Sequence, residues 1–374
     1  MRAVAFWLAP VIGVALLISG SSLAAVSDSG LLKAKQEAEA NGFIFETNHD
    51  EIVAKAKKEA SLRALSNLEP PTARAISEAF KKRYGIDVHA EEITGADAQQ
   101  RFVLELKGGR VKDWDVMHIS ADFYNDYEGH KKNFDVLGMA THGVLAIPKG
   151  MLDQRKRNVI FATSVFSVVT YNKNHISPDR APDNWEDFLR PEFKGKKFSV
   201  EIRGGVKDLV AMIPAWGLER VLSYSKALAG QEPIWTIGYA RSLGAMVAGE
   251  MGLAHMINWH STVRAQQKDP KASLGYKIVE PVPVRLTVAD GVTANATHPY
   301  AGLLWLEFLA TPEAQAIIDK HDPLKSNLYV RGSEVANALS GKKVSVSTPE
   351  EADRVPQLME KVIAAMGFPK VESK

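Results

Sequence analysis

A chain of 374 residues, 45% hydrophobic and 24% charged, has the composition of a soluble globular protein large enough for two domains. Its formal net charge of +2 argues against nucleic acid or an acidic membrane surface as a partner. The absence of cysteine excludes disulfides, thiolate zinc sites, cysteine nucleophiles and a lipidated cysteine at a leader cleavage site.

The chain opens with one positive charge, Arg2, an apolar run over 3–19 and the small-residue site Ser22-Leu23-Ala24. That layout predicts a secretory signal peptide over 1–24, cut near Ala24, with an uncleaved anchor as the alternative. Pro10 and the lack of a basic cluster after the run favour cleavage. No second long apolar run follows, so the mature chain is expected to be free in the periplasm. Residues 25–60 carry two helical patches and are expected to form an N-terminal helical extension packed outside the main body.

From residue 61 the pattern alternates. A β-like segment at 62–65 is stopped by Pro70-Pro71, which opens a helix with Ala73, Ile76 and Phe80 on one face; Gly85 closes it before a second strand. "GADAQQRFVLELKGG" is a helix closed by glycines, and "DWDVMHIS" is the next strand. Strands alternating with ten-to-fifteen-residue helices imply βαβ units. A β-rich run over 160–171 leads to "APDNWEDFLRPEFKGKKFSV", where Asp183 and Glu186 make a capping-box-like helix start and Pro191 a stop. A second α/β set follows to "GLAHMIN", then another β-rich run, and Pro299 and Pro312 open two further helices. The expectation is α/β: two lobes, each a central mainly parallel sheet flanked by helices, joined by two extended crossings near 163–170 and 280–290.

No enzyme motif stands in the chain: no H-E-x-x-H, G-x-S-x-G, G-x-G-x-x-G after a strand, or P-loop. Polar residues gather instead where strands end and helices begin, at "SNLEPP", "ITGAD", "ISADFY", "EIRGG", "TIGYARS" and "NWHSTVR". In open α/β sheets these carboxyl-end loops face the ligand crevice. Two such lobes build a cleft between them.

In segment order the chain resembles the extracellular solute-binding proteins of ABC importers, with the type II periplasmic binding (Venus-flytrap) fold, in the branch of ferric-iron, thiamine, polyamine and phosphonate binders. Four segments carry the resemblance: "AISEAFKKRYGIDV", "YNKNHISPDRAPDNWEDFLRPEFKGKKFSV", "AMVAGEMGLAHMIN" and "HPYAGLLWLEFLATPEAQAII". The resemblance implies a binding protein rather than an enzyme, without a cofactor. It would capture a small solute by hinge closure and deliver it to an inner-membrane ABC permease. A monomer is expected. The implied division is 61–163 with 286–345 as the first lobe, 164–285 as the second and 346–374 as a C-terminal tail, with Ser164, Thr170, Pro283 and Thr287 as hinge positions. A secreted enzyme on the same scaffold, and a tethered sensor that keeps its N-terminus, are the readings from other classes.

The cleft candidates are Asn67, Glu69, Thr94, Asp97, Ser120 and Asp122 from the first lobe, and Arg203, Tyr239, Arg241, Trp259 and His260 from the second, with Arg264 a further candidate. Ferric-iron members of the family place two adjacent tyrosines after the strand that reads "AHMIN" here, and this sequence has Trp259-His260. An organic or oxyanionic solute is therefore preferred: Trp259 offers a stacking face, and Arg203 bidentate contact beside a helix N-terminus. The alternative is a metal held by His260, Glu69 and Tyr124. Against binding roles stand plainer ones: Trp259 as core, His255 as a satisfied core histidine, Glu69 as a helix-end charge and Arg264 as a solvated residue.

Overall fold

The computed structural model describes residues 28–93, 95–111, 113–286, 288–321, 325–348 and 354–367. The strands are β1 (Ser61–Ser66), β2 (Asp87–Glu92), β3 (Val116–Ser120), β4 (Val159–Ile160), β5 (Val165–Asn172), β6 (Ser199–Glu201), β7 (Ile234–Thr236), β8 (Leu253–Asn258), β9 (Leu274–Lys277), β10 (Val282–Arg285), β11 (Val288–Val292) and β12 (Val344–Ser347). They form two sheets: β2-β1-β3-β11-β4 in the first lobe, and β12-β10-β5-β8-β6-β7 in the second, with β9 paired to β5. The helices are α1 (Asp28–Ala40), α2 (His49–Glu59), α3 (Pro70–Tyr84), α4 (Ala96–Lys107), α5 (Val136–Thr141), α6 (Gly204–Val210), α7 (Ile213–Trp216), α8 (Leu218–Gly230), α9 (Tyr239–Val247), α10 (Trp259–Lys268), α11 (Pro299–Leu309), α12 (Pro312–His321), α13 (Glu334–Ala338) and α14 (Val355–Ala365).

The two-lobe α/β architecture agrees with the sequence reading. Within the βαβ units the strands pair in parallel, β1 with β2 and β3, and β6 with β7 and β8. The strands that carry the chain between lobes enter against that direction: β11 pairs antiparallel with β3 and β4, and β5 with β8 and β10. Both sheets are thus mixed. As expected, Pro70 and Pro71 open α3, Ala73, Ile76 and Phe80 are its buried face, and Gly85 closes it in the left-handed region at φ 76°, its N–H on the Lys81 carbonyl.

The N-terminal extension is part of the first-lobe core, not an outer layer. Helix α11 is buried on every side from Ala301 to Leu309, and a helix apolar all round must be covered all round. Helix α2 supplies the cover: Ile52 and Ala56 are fully buried in the same cluster as Leu304 and Phe308. Glu59 then caps α11, accepting the N–H groups of Tyr300 and Ala301 at 3.2 and 2.7 Å, and His49 pairs with Glu307 at 2.8 Å.

The C-terminal segment also has a place. Strand β12 pairs in parallel with β10, so residues 344–345 belong to the second sheet rather than the first lobe. Leu358, Val362 and Met366 of the expected tail pack into the second-lobe core, one apolar stripe at i, i+4, i+8.

Between β4 and β5 the crossing is residues 161–164, and between β10 and β11 it is 286–287. Ser164 is at a crossing. Thr170 and Pro283 are not: Thr170 pairs across the ladder with Tyr276 and bonds Thr262 at 2.8 Å, and Pro283 pairs with Ser345. Thr287 lies outside the described residues. The structure adds a third passage, from α12 to α13, tied to the first crossing. Ser164 Oγ donates to the Ser326 carbonyl at 2.9 Å and accepts the Leu328 N–H at 3.0 Å; Asn327 Nδ2 donates to the Phe161 carbonyl at 2.6 Å.

Candidate functional site between the lobes

The cleft wall of the second lobe is built where β6, β7 and β8 end and α6, α9 and α10 begin. Beneath it lies a buried polar network. Asp208 on α6, fully buried, accepts Arg285 Nε at 2.6 Å, Ser167 Oγ at 2.7 Å and Tyr239 Oη at 2.9 Å. Arg285 also donates to Asn258 Oδ1 at 3.0 Å. Burial pushes the Asp208 carboxyl above its usual range, and the Arg285 guanidinium with the two hydroxyls opposes that. The network therefore locks the end of β10, just before a crossing, to four elements of the second lobe, α6, β5, α9 and β8. Tyr239 is one of its members, and its phenol proton is engaged there.

Glu201 settles the fate of the α6 N-terminus. Its buried carboxylate accepts the N–H groups of Arg203 and Gly205 at 3.1 Å each, Gly238 at 2.8 Å, and Gly204. These donors, expected from the sequence to meet a ligand beside Arg203, are taken by the chain's own anion. Gly204 is required for the approach, since a Cβ there would meet Tyr239 Oη at 2.1 Å. The Arg203 and Arg241 side chains are exposed.

Strand β8 bulges against β5 between Val168 and Thr170, with Met256 in the left-handed region at φ 49°. A bulge re-aims the chain after it. The first residue it aims, Trp259, is 6% exposed and stacks on Phe166 at 4.7 Å between ring centres. The structure thus places Trp259 in the core cluster with Val282 and Val284. His260, the next residue, is half-buried in the first turn of α10, where its Nδ1 is shielded from water and bonds to nothing. Burial, aided by the charges of Lys325, Arg264 and Arg285, pushes its pKa down to about 3, so the ring is neutral at physiological pH.

The lobes meet at Arg264, whose Nη2 lies 3.0 Å from Glu69 Oε1. Glu69 heads α3 without capping it, so its carboxylate is available to the other lobe. Asn67 and Ser120 are half-buried and Asp97 is exposed. Thr94 and the side chain of Asp122 lie outside the described residues. Tyr124 is drawn away from the cleft: its buried phenol donates to Asp153 inside the first lobe, and burial and that carboxylate raise its pKa. The structure thus brings Glu69 near the α10 head that carries His260, but not Tyr124. Among the described residues no group of three or more His, Asp or Glu is arranged to hold a metal ion. Beside Arg264, a groove of about 710 Å³ runs between α9 and α10, with Leu243, Val247 and Ala265 among its lining residues.

Asp208, Ser167, Asn258 and Arg285 were not among the sequence candidates. A usable signal was present: one acid in the apolar run "DLVAMI" and one base in "VPVRL", each needing a buried partner.

Residues 62–321, more than half of the chain, match the family model described as bacterial extracellular solute-binding protein. The protein belongs to the extracellular solute-binding proteins, the solute-capturing components of ABC importers. It has the fold of an iron-binding protein of Trichodesmium (IdiA, FutA) solved with iron and citrate, at TM-score 0.65 and 19% identity over 83% of this chain and 100% of that one. Ferric iron-binding protein A of Mannheimia haemolytica, in an open conformation, is similar at TM-score 0.64 and 16% identity, covering 83% and 99%. The Atu4243–GABA receptor is similar at TM-score 0.59 and 14% identity, covering 84% and 100%. No curated protein matches the sequence. Among the described residues no helix is long and apolar enough to cross a membrane.

Proposed function

We propose that the protein is a monomeric periplasmic binding component, exported behind a leader removed near Ala24, that closes its two lobes on a small organic or oxyanionic solute and hands it to a membrane permease. The lobes are 61–163 with 286–321, carrying the N-terminal helices, and 164–285 with 334–365. Membership of a binding family supports capture without turnover.

One observation carries the choice of solute. Where the lobes touch, Arg264 faces Glu69, and the neighbouring His260 stands in the field of Lys325, Arg264 and Arg285. The positive field of these three side chains favours an anion. Iron, which the Trichodesmium protein binds, has the likeness of fold on its side. The side chains support it less: Trp259 and His260 stand where the resemblance puts tyrosines, Trp259 is packed on Phe166, and Tyr124 is bonded to Asp153.

The test is native mass spectrometry with metal analysis on exported protein purified without chelator. The expected result is one organic anion per chain, released unchanged on denaturation, with iron well below one per chain. Stoichiometric iron would overturn the reading.

A further inference from the structure

We infer that the solute is an amphipathic organic anion: a carboxylate on a short hydrocarbon body, its charged end at Arg264 and its body in the groove between α9 and α10. This rests on the proposed function and narrows it.

Both helices start at the cleft ends of parallel strands, so the groove between them runs outward from the cleft. Its volume, about 710 Å³, is within the range of small-molecule sites. The α9 side is apolar. Of five large hydrophobic side chains left exposed among the described residues, Val247 lines the groove and Ile237 lies on the loop that leads into α9. The α10 side is polar, presenting His260, Arg264 and Lys268 at successive turns, with Asp269 beside Lys268. A purely inorganic anion would leave the apolar wall unused, and a cationic molecule would meet the guanidinium of Arg264 at the head of the groove.

One detail favours a carboxylate. Arg264 is already held by one, the Glu69 side chain of the opposite lobe, which marks the geometry an incoming carboxylate must match. Glu69 is then a competitor of the ligand for Arg264, and the two residues act on affinity in opposite directions. Were the pair only a latch between lobes, neutralising either member would weaken binding alike.

The experiment is calorimetric titration of the ligand-stripped, full-length mature protein with unbranched carboxylates from butyrate to octanoate, and with alkylamines of matching length. Each added methylene is expected to tighten binding about fourfold, the equivalent of about 0.8 kcal/mol per buried CH₂, and the amines to bind at least about tenfold more weakly. Glu69→Gln is expected to tighten binding about tenfold and Arg264→Gln to weaken it at least about tenfold. Val247→Asp, at a position already 36% exposed, is expected to flatten the chain-length dependence without unfolding the protein. The inference is overturned if no carboxylate binds, if affinity ignores chain length, if amines bind equally well, or if Glu69→Gln and Arg264→Gln both weaken binding. Tight binding of inorganic oxyanions with no chain-length dependence would end this inference and leave the proposed function standing; retained iron with no anion binding would end both.

Discussion

Glu69 at the head of α3 and Arg264 on α10 form an ion pair at 3.0 Å between the lobes, with side chains 41% and 44% exposed. An ion pair so open to solvent contributes about 0–1 kcal/mol, too little to hold two lobes shut. Its consequence is positional: it sets opposite charges face to face where the two lobes meet.

Trp259 is a core residue by its packing. Trp259→Ala should cost about 3–5 kcal/mol of stability in the ligand-free protein, because the stack on Phe166 is lost and a cavity opens among Val282 and Val284. Denaturant unfolding measures this. A variant that binds poorly yet unfolds like the parent would show that the indole serves the ligand instead.

The Asp208–Arg285 pair is buried, and one partner without the other leaves an uncompensated charge. Arg285→Met should destabilise by about 3–5 kcal/mol, while Asp208→Leu with Arg285→Met should recover most of that loss. Chemical denaturation of the three proteins decides it. A single variant costing less than about 1 kcal/mol would mean that water reaches Asp208.

His255 is fully buried among Trp185, Phe188 and Tyr224, and burial pushes its pKa down to about 3. A histidine whose folded pKa lies below its unfolded value near 6.5 is protonated only on unfolding across that interval, so stability falls as pH drops from about 6.5 toward 3. The slope is up to about 1.4 kcal/mol per pH unit for this group, and His260 adds to it. His255→Gln should reduce the slope of unfolding free energy against pH between 4 and 6. An unchanged slope would place the ring in contact with water.

Ile52 ties the N-terminal extension to α11. Ile52→Asp should cost more than about 3 kcal/mol, and deletion of residues 28–60 should leave a protein that aggregates, because the outer face of α11 is then bare. Thermal unfolding and gel filtration report both. A truncated protein as stable and soluble as the parent would return the extension to the surface role its polar sequence suggests.

Architecture was legible because strand–helix alternation leaves a period in the sequence: the proline starts and glycine stops around α3 fall where expected. The α2–α11 contact was not, since α2 reads as a charged surface helix until the all-apolar α11 is seen to need a cover. The strand ends that bear the candidate site were also readable, and Glu69 and His260 follow two of them, β1 and β8. Side-chain direction was not. Tyr239 turns inward to Asp208 and Trp259 inward to Phe166 through contacts between segments far apart in the chain, and Glu201, which takes the α6 amides next to it, also accepts the distant Gly238 N–H. Arg285 and Asp208 each looked like an isolated charge in an apolar run; only their proximity makes them a pair.

The central claim, that an anionic organic solute is captured between two closing lobes, is tested most directly by small-angle X-ray scattering of the ligand-stripped protein before and after return of the compound released from exported material. The radius of gyration should fall on adding that compound and stay constant on adding ferric iron in a weak chelate. Compaction with iron alone, or none with the released compound, would contradict it.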